Sequence, residues 1–214
     1  MSVTATEAGI LSPGERDLLL EAMASCCAES GYAGATIESV VERAGLDRPS
    51  FARHFESMED CALAALNQIA AETLAAVATA TSSDEETERR LFQIRAILEL
   101  MEARPGFAWL AYVEARHGGT RRMRAAYESG ARVLALMTER VSGGDDGVGR
   151  PPRAARAALG GAEAVVRRAL CREESGELSR YLPDFVYAAL VPFVGQKEAL
   201  RESRAAAKLL AKEE

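Results

Sequence analysis

The stretch from Thr36 to Phe55, TIESVVERAGLDRPSFARHF, constrains the fold most, because it predicts two short helices joined by a tight turn. Thr36 is a good N-cap, and apolar residues follow it at helical spacing as far as Ala44. Gly45 can take a positive φ at the end of that helix, and Asp47 can cap a second helix that begins near Arg48.

The second predicted helix has two distinct faces. Phe51 and Phe55 lie four residues apart and therefore share one inward face. The side chains that we expect to point away from it are Arg48, Ser50, Arg53 and His54. Two helices that cross steeply at a short turn containing glycine form a helix-turn-helix.

A longer series of residues surrounds this motif. Gly31-Tyr32, Thr36-Ile37, Ala44-Gly45-Leu46 and the run from Phe51 to Phe55 follow one another in a fixed order and spacing. With them, the segment from Leu19 to Leu66 resembles the N-terminal domain of the TetR family of bacterial transcriptional regulators. The resemblance implies an all-α fold, with an N-terminal three-helix helix-turn-helix domain followed by a larger helical domain for ligand binding and dimerisation.

Helical periodicity continues through the chain, and no strand pattern appears. We expect residues 1–56 to form an N-terminal arm and the DNA-binding domain, and residues 57–214 to form the effector-binding and dimerisation domain. The first helix starts at Ser12-Pro13-Gly14-Glu15 and ends at Gly31, and a long fourth helix, capped by Ser57, connects the two domains. The later helices are expected at about 85–103, 105–117, 120–141, 153–173, 178–194 and 201–212, with a loop at 142–152.

Composition indicates an ordinary soluble protein. The 214 residues are 48% hydrophobic, no uninterrupted apolar run approaches the roughly 20 residues of a membrane span, and no signal peptide is evident, so we expect a cytoplasmic location. The cysteines have no metal-ligand spacing, so we expect reduced thiols in the core and neither a metal nor a cofactor. A thiol sensor is the alternative. The four are Cys26, Cys27, Cys61 and Cys171.

Net charge argues against a broad basic surface. The chain carries −6, and residues 1–56 hold four arginines against nine carboxylates, a net charge of −5. Residues 1–11 contain no Lys or Arg, and Ala52 and Met58 stand where the TetR family usually has a phosphate-binding Tyr and Lys. Any basic footprint must therefore be local, and DNA binding at physiological salt is expected to be weaker than the fold alone suggests.

The candidate DNA contacts follow from the geometry of a recognition helix in a major groove. Arg48 is the best base-reading or phosphate candidate, and Thr36 would place its hydroxyl and helix amides on a phosphate. The full set is Thr36, Arg43, Arg48, Ser50, Arg53 and His54. The alternative for each is a solvated surface residue, and for Arg43 an ion pair with Glu38 or Glu42.

Aromatic and sulfur side chains predict an effector pocket between the fifth and eighth helices, because apolar walls with a few polar groups suit small molecules. The candidates are Phe92, Met101, Phe107, Trp109, Tyr112, Glu114, His117, Met123 and Tyr127, with Glu114 and His117 as the polar groups. Ordinary core packing is the alternative for any one of them.

Enzyme functions lack support, since the chain has two histidines and no nucleophile elbow, phosphate loop or carboxylate–histidine cluster. The resemblance implies a homodimeric repressor that a small, largely apolar molecule releases from a palindromic double-stranded operator. An activator or a corepressor-dependent repressor has the same signature. The alternative function is a TetR-like ligand-binding or protein-interaction module with weak or no DNA binding. Helices eight and nine are expected to form the dimer contact, with Gly160 and Gly161 at a close approach.

Overall fold

The computed structural model describes residues 14–80, 86–141, 152–172 and 175–211, and their regular elements are all helical. The elements are α1 Glu15–Gly34, α2 Ile37–Ala44, α3 Arg48–His54, α4 Met58–Thr79, α5 Glu86–Ala103, α6 Pro105–Trp109, a π-helix Leu110–Gly118, α7 Arg121–Val141, α8 Pro152–Leu170, a 3₁₀-helix Ser175–Tyr181 and α9 Leu182–Leu210. The predicted all-α fold is confirmed. We call residues 14–56 the head and residues 57–211 the body.

The head is a three-helix unit around a buried face of α1. Leu19, Leu20 and Met23 are fully buried there, and α2 and α3 pack against the same helix. Helix α1 loses helical geometry at Gly31, whose φ of 71° favours glycine, as the sequence predicted. The helix begins at Glu15, within the predicted start at Ser12-Pro13-Gly14-Glu15, and its N-cap is Gly14 without a side-chain cap. Ser12, Pro13 and the predicted arm lie outside the described residues.

Helix α4 connects the head to the body. Ser57 caps it by accepting a hydrogen bond from the Asp60 N–H at 3.1 Å. The helix packs against α1, α5 and α7, and residues such as Leu66 and Ile69 are buried along it. By length and composition α4 could also cross a membrane, but the core helix of a folded protein passes the same test, and these contacts identify it as such a helix.

The head also contacts the body directly through α1. Helix α1 packs on α6 and on the π-helix, and a Cβ placed on Gly106 would lie 3.1 Å from the carbonyl carbon of Ala24. Arg104, the residue before α6, forms ion pairs with Glu21 of α1 at 2.6 Å and with Glu72 of α4 at 2.7 Å. Two routes, α4 and the contact between α1 and α6, therefore join the head to the body.

Helices α8 and α9 pack closely along each other. A Cβ on Gly161 would lie 3.3 Å from the Ala188 carbonyl oxygen, whereas a Cβ on Gly160 would have no atom of the described residues within 4 Å. The close approach at Gly161 is thus internal to the chain, and only Gly160 remains available for the predicted dimer contact. The two predicted final helices are one element interrupted at Gly195, where φ is 78°.

Smaller differences occur next to these helices. The helix predicted to begin at 178 begins at Leu182, because a 3₁₀-helix occupies the preceding residues. The predicted loop 142–152 lies outside the described residues except for Pro152, which begins α8. Proline suits the first turn of a helix, where its missing N–H costs no hydrogen bond.

Candidate DNA-binding surface and effector cavity

The turn between α2 and α3 forms as the sequence predicts. Gly45 ends α2 with φ 66°, and Asp47 caps α3 by accepting a hydrogen bond from the Ser50 N–H at 2.9 Å. Phe51 and Phe55 are buried, with ring centroids 5.6 Å apart, and they hold α3 against the head core. The opposite face of α3 is consequently exposed, as a recognition helix requires.

Ser50 lies inside the head, so its predicted place among the DNA contacts is corrected. Its residue is only 5% exposed. Its hydroxyl donates to Asp47 Oδ1 at 2.6 Å and accepts from Arg53 Nη2 at 2.8 Å. The hydrogen bonds that the Ser50 hydroxyl and backbone N–H donate to the Asp47 carboxylate hold the pKa of Asp47 below its usual range. Ser50 therefore completes the cap of α3 and positions Arg53, rather than facing a groove.

Each remaining basic side chain of the surface lies beside a carboxylate of the head. The pairs are Arg43 with Glu29, Arg48 with Glu38, and Arg53 and His54 with Glu15. The Arg53–Glu15 distance is 2.9 Å and the His54–Glu15 distance is 3.3 Å. Hydrogen bonds from Arg53 and then His54 lower the pKa of Glu15. The predicted Arg43 pair with Glu38 or Glu42 is replaced by Glu29, which comes from α1.

Thr36 lies exposed at the start of α2 and has local partners. Its hydroxyl oxygen accepts the Ser39 N–H at 3.1 Å, and its own N–H donates to Ser39 Oγ at 3.0 Å. This reciprocal pattern is a capping box. A phosphate contact from the Thr36 hydroxyl proton is compatible with the cap and stays a prediction.

The body contains a cavity of about 70 Å³ between α4, α5, the π-helix and α7. Of the predicted pocket residues, Met101, Tyr112 and Tyr127 line it. The two tyrosine rings meet edge to face, with centroids 6.0 Å apart. Burial raises the pKa of Tyr112 to about 12 and also raises that of Tyr127, so both are neutral hydrogen-bonding groups at neutral pH.

Helix α4 forms one wall of this cavity, which the prediction of a pocket between the fifth and eighth helices missed. Its lining residues are Leu66, Ile69, Ala70, Thr73 and Leu74. The sequence contained the signal, since the apolar stripe of α4 continues beyond the turns that pack on α1. A stripe of this kind, however, does not by itself distinguish core packing from a cavity wall.

The other predicted pocket residues lie elsewhere. Phe107 and Met123 are buried in the core, Phe92 is half-buried away from the cavity, and His117 is exposed. Trp109 lines a separate cleft of about 450 Å³ between the head and the body. Glu114 is buried against the head, where its Oε2 accepts the Tyr32 N–H at 2.9 Å. The prediction that these six residues line the effector pocket is therefore not supported. It failed because amphipathic spacing shows that a helix face is buried but does not identify which neighbouring element that face contacts.

One buried carboxylate near the cavity was not predicted. Glu163 of α8 is 5% exposed, and its Oε1 pairs with Arg116 Nε at 3.0 Å. The carboxylate also contributes to the raised pKa of Tyr112 and Tyr127, after burial. The sequence does contain a signal for this ion pair, because Glu163 lies in an otherwise apolar helical stretch and a buried charge needs a partner.

The cysteine prediction is correct for three of the four residues. Cys26 and Cys27 of α1 and Cys61 of α4 are buried in the core, whereas Cys171 is exposed, so its predicted core position is wrong. Burial raises the pKa of Cys27 and of Cys61 to about 12. Protonated thiols are poor nucleophiles, which favours packing over redox sensing for this pair. Among the described residues, no group of three or more His, Cys, Asp or Glu could hold a metal ion.

Comparisons with known proteins agree with this architecture. The fatty acid degradation regulator FadR from Bacillus halodurans superposes with a TM-score of 0.72 at 13% identity, covering 86% of this chain and 97% of that one. FadR from Bacillus subtilis in complex with stearoyl-CoA superposes with a TM-score of 0.66 at 15% identity, covering 83% of this chain and 97% of that one. A transcriptional regulator from Rhodococcus sp. Rha1 superposes with a TM-score of 0.60 at 18% identity, covering 91% of this chain and 97% of that one.

The sequence itself matches a family in the head and the first part of α4. No curated protein matches the sequence. Residues 19–65, however, match the model described as bacterial regulatory proteins, tetR family, and they contain the whole helix-turn-helix. At identities below 20%, the solved structures establish the fold alone. By sequence, residues 19–65 are therefore similar to the helix-turn-helix domain of the tetR family of bacterial regulatory proteins, and the described residues share the helical fold of these solved regulators.

Proposed function

We propose that the protein is a homodimeric transcriptional repressor whose two heads bind a palindromic operator, and that a small apolar molecule in the body releases it. The observation that carries this proposal is the exposed face of α3. Arg48, Arg53 and His54 project there from a helix that the aromatic pair fixes on the head core. A dimer would present two such helices to successive major grooves about 34–36 Å apart.

The cavity supports the proposed response to a ligand. Its volume of about 70 Å³ is well below the roughly 300–1,000 Å³ of typical ligand pockets. An effector must therefore separate α4 from α7, whose close contact is shown by the 3.4 Å between a Cβ on Gly130 and Ala70 Cβ. Because α4 begins next to the head, the same separation would reorient the head. A ligand that needs this movement binds the DNA-released form better, as repression relieved by an effector requires.

The neighbouring structures suggest one class of effector to test. FadR from Bacillus subtilis is described in complex with stearoyl-CoA. The lining of the cavity here is mostly apolar, with residues such as Leu66, Ile69 and Met101 in its walls, so an acyl chain suits it. We propose apolar carboxylic acids and their thioesters as the first effectors to test, each requiring the cavity to open.

The experiment is selection of bound duplexes from a random pool at low and moderate salt. Arg48→Ala is the test variant, and Arg180→Ala is the matched control, because both arginines are similarly exposed (68% and 71%) and each pairs with one glutamate. We expect a palindromic motif with the parent chain and the control, and none with Arg48→Ala. A motif that survives in Arg48→Ala would refute the assigned role of α3.

The three ion pairs of the surface favour a second candidate function, a TetR-like ligand-binding or interaction module with little DNA affinity. Arg43, Arg48 and Arg53 each lie beside a glutamate, so the cations that DNA would need are already neutralised. A folded, dimeric parent chain that enriches no duplex at either salt concentration would favour this function over the repressor.

A further inference from the structure

Glu114 forms a long-range hydrogen bond between the body and the head. The residue is 7% exposed on the π-helix, and its Oε2 accepts the backbone N–H of Tyr32, 82 positions earlier in the chain, at 2.9 Å. The bond reaches α1 directly after Gly31, where helical geometry breaks at φ 71°. Tyr32 is also four residues before Thr36, the cap of α2. The carboxylate therefore acts on the chain where α1 leads into the helix-turn-helix.

The surrounding backbone leaves room for this carboxylate and little else. A Cβ on Gly118 would lie 2.4 Å from Glu114 Oε2, and one on Gly31 would lie 3.5 Å from Oε1. The Gly119 N–H closes the end of the π-helix by donating to the Glu114 carbonyl at 2.5 Å. Burying a carboxylate costs free energy that one hydrogen bond offsets only in part, so an apolar residue would serve packing alone at lower cost.

The same π-helix carries part of the cavity wall. Ala111 and Tyr112 line the cavity, and Glu114 follows within the next turn. π-helical segments occur frequently at functional sites. A displacement of Tyr112 by a molecule in the cavity would therefore change the position of Glu114 as well.

We propose that Glu114 is a positioning residue that fixes the orientation of the head through the Tyr32 amide and transmits changes in the cavity to it. This inference rests on the proposed function, and it adds a second coupling route, from the π-helix to α1, beside the α4 connection. A change in the cavity moves the π-helix, the Glu114 carboxylate follows, and the end of α1 shifts with it.

The first experiment measures the bond itself, by amide hydrogen exchange at Tyr32 in the full chain without DNA. Glu114→Ala should accelerate that exchange at least about fivefold, as expected for loss of a charge-assisted hydrogen bond. Glu102→Ala is the matched control, because Glu102 accepts the Ser179 N–H at 2.7 Å entirely within the body. It should leave Tyr32 exchange unchanged. Equal Tyr32 exchange in the parent chain and Glu114→Ala would overturn the proposal.

A second variant keeps the carboxylate in case Glu114→Ala does not fold. Gly118→Ala would push the Glu114 side chain off Tyr32, because the added Cβ overlaps Oε2. Gly176→Ala is its control, since a Cβ there would meet no atom of the described part of the chain within 4 Å. The proposal requires faster Tyr32 exchange in Gly118→Ala and parental exchange in Gly176→Ala.

The coupling is tested by filling the cavity with Ala70→Met, which imitates an occupant without requiring an identified ligand. In the parent background we expect Ala70→Met to shift the Tyr32 amide resonance and to change operator affinity by about fivefold, a typical coupling between two sites. In the Glu114→Ala or Gly118→Ala background, Ala70→Met should change operator affinity by less than about twofold, and the shift that it causes in the Tyr32 resonance should be smaller than in the parent background. Equal effects in both backgrounds, or no effect in either, would overturn the proposal.

The two readouts separate this inference from the proposed function. The Tyr32 resonance is recorded without DNA, so it tests the coupling even in a chain that binds no operator. Loss of operator binding together with a Glu114-dependent shift at Tyr32 would refute the repressor and retain the positioning role. Operator binding together with a Tyr32 shift that does not depend on Glu114 would retain the repressor and refute the positioning role of Glu114.

Discussion

Replacing Glu38 by Gln should make DNA binding tighter and more dependent on salt. Glu38 pairs with Arg48 at the start of α3, and both side chains are about two-thirds exposed, at 66% and 68%. An exposed ion pair of this kind opposes binding only weakly, and its removal corresponds to about 1.4- to 5-fold tighter binding to unspecific duplex. The variant also removes one negative charge that would face phosphate.

The salt dependence gives the second magnitude. Each neutralised phosphate contributes a slope of about −0.9 to the logarithmic dependence of affinity on salt, so one newly available cation adds at most about that much. Between about 50 and 200 mM salt, the advantage of Glu38→Gln over the parent should then shrink by up to about 3.5-fold. Fluorescence anisotropy of a labelled duplex of arbitrary sequence, titrated at several salt concentrations, measures both quantities.

Glu177→Gln is the matched control, because Glu177 pairs with Arg180 on the body in the same exposed manner. It should leave both the affinity and the slope unchanged. Parental affinity for Glu38→Gln at every salt concentration would refute the reasoning that the Glu38–Arg48 pair holds back a DNA contact. A gain that is equal at all salt concentrations would show a non-electrostatic cause.

Three further predictions concern the stability of the head. Phe51→Ala should lower the free energy of unfolding by about 3–5 kcal/mol, since the ring is 2% exposed, and urea unfolding followed by circular dichroism measures it. Gly45→Ala should lower the free energy of unfolding by about 1–2 kcal/mol through the strain of φ 66° alone, because its Cβ would meet no atom of the described residues within 4 Å. Gly176→Ala, whose φ is not positive, should leave the free energy of unfolding unchanged, and an equal loss in both variants would contradict this reasoning. Hydrogen bonds from Ser50 hold the pKa of Asp47 below its ordinary value of 3.8, so their stabilisation is complete above that pH and is lost as the pH falls through the lowered value. Thermal unfolding between about pH 6 and pH 3 should therefore show the difference between the parent chain and Asp47→Asn decreasing as the pH falls, and a constant difference would refute the assignment.

Local signals explain why the head was predictable from the sequence. Thr36, Gly45 and Asp47 have capping and turn preferences that act within three or four residues, and all three form the predicted cap or turn. The burial of Phe51 and Phe55 followed from their spacing. Ser50 was predicted incorrectly because a serine three residues after a capping aspartate can either face solvent or fold back on the cap, and spacing does not distinguish these two positions.

The body was predictable in its helices and much less so in its site. Met101, Tyr112 and Tyr127 meet at the cavity, but Phe107 and Trp109, which were predicted to line the same pocket, pack elsewhere. Which helix faces which depends on contacts between residues far apart in sequence, and a single sequence does not reveal them. The contact between Glu114 and Tyr32, 82 residues apart, is of this kind.

Trp109 gives the chain a built-in optical reporter. It is the single tryptophan of the sequence, and it lines the cleft where α1 and α2 of the head meet α6 and the end of α8. Its indole Nε1 is shielded from solvent and has no hydrogen-bond partner among the described residues. Any rotation of the head against the body changes the surroundings of this one ring, so the emission wavelength of the unlabelled protein follows the orientation of the head in real time.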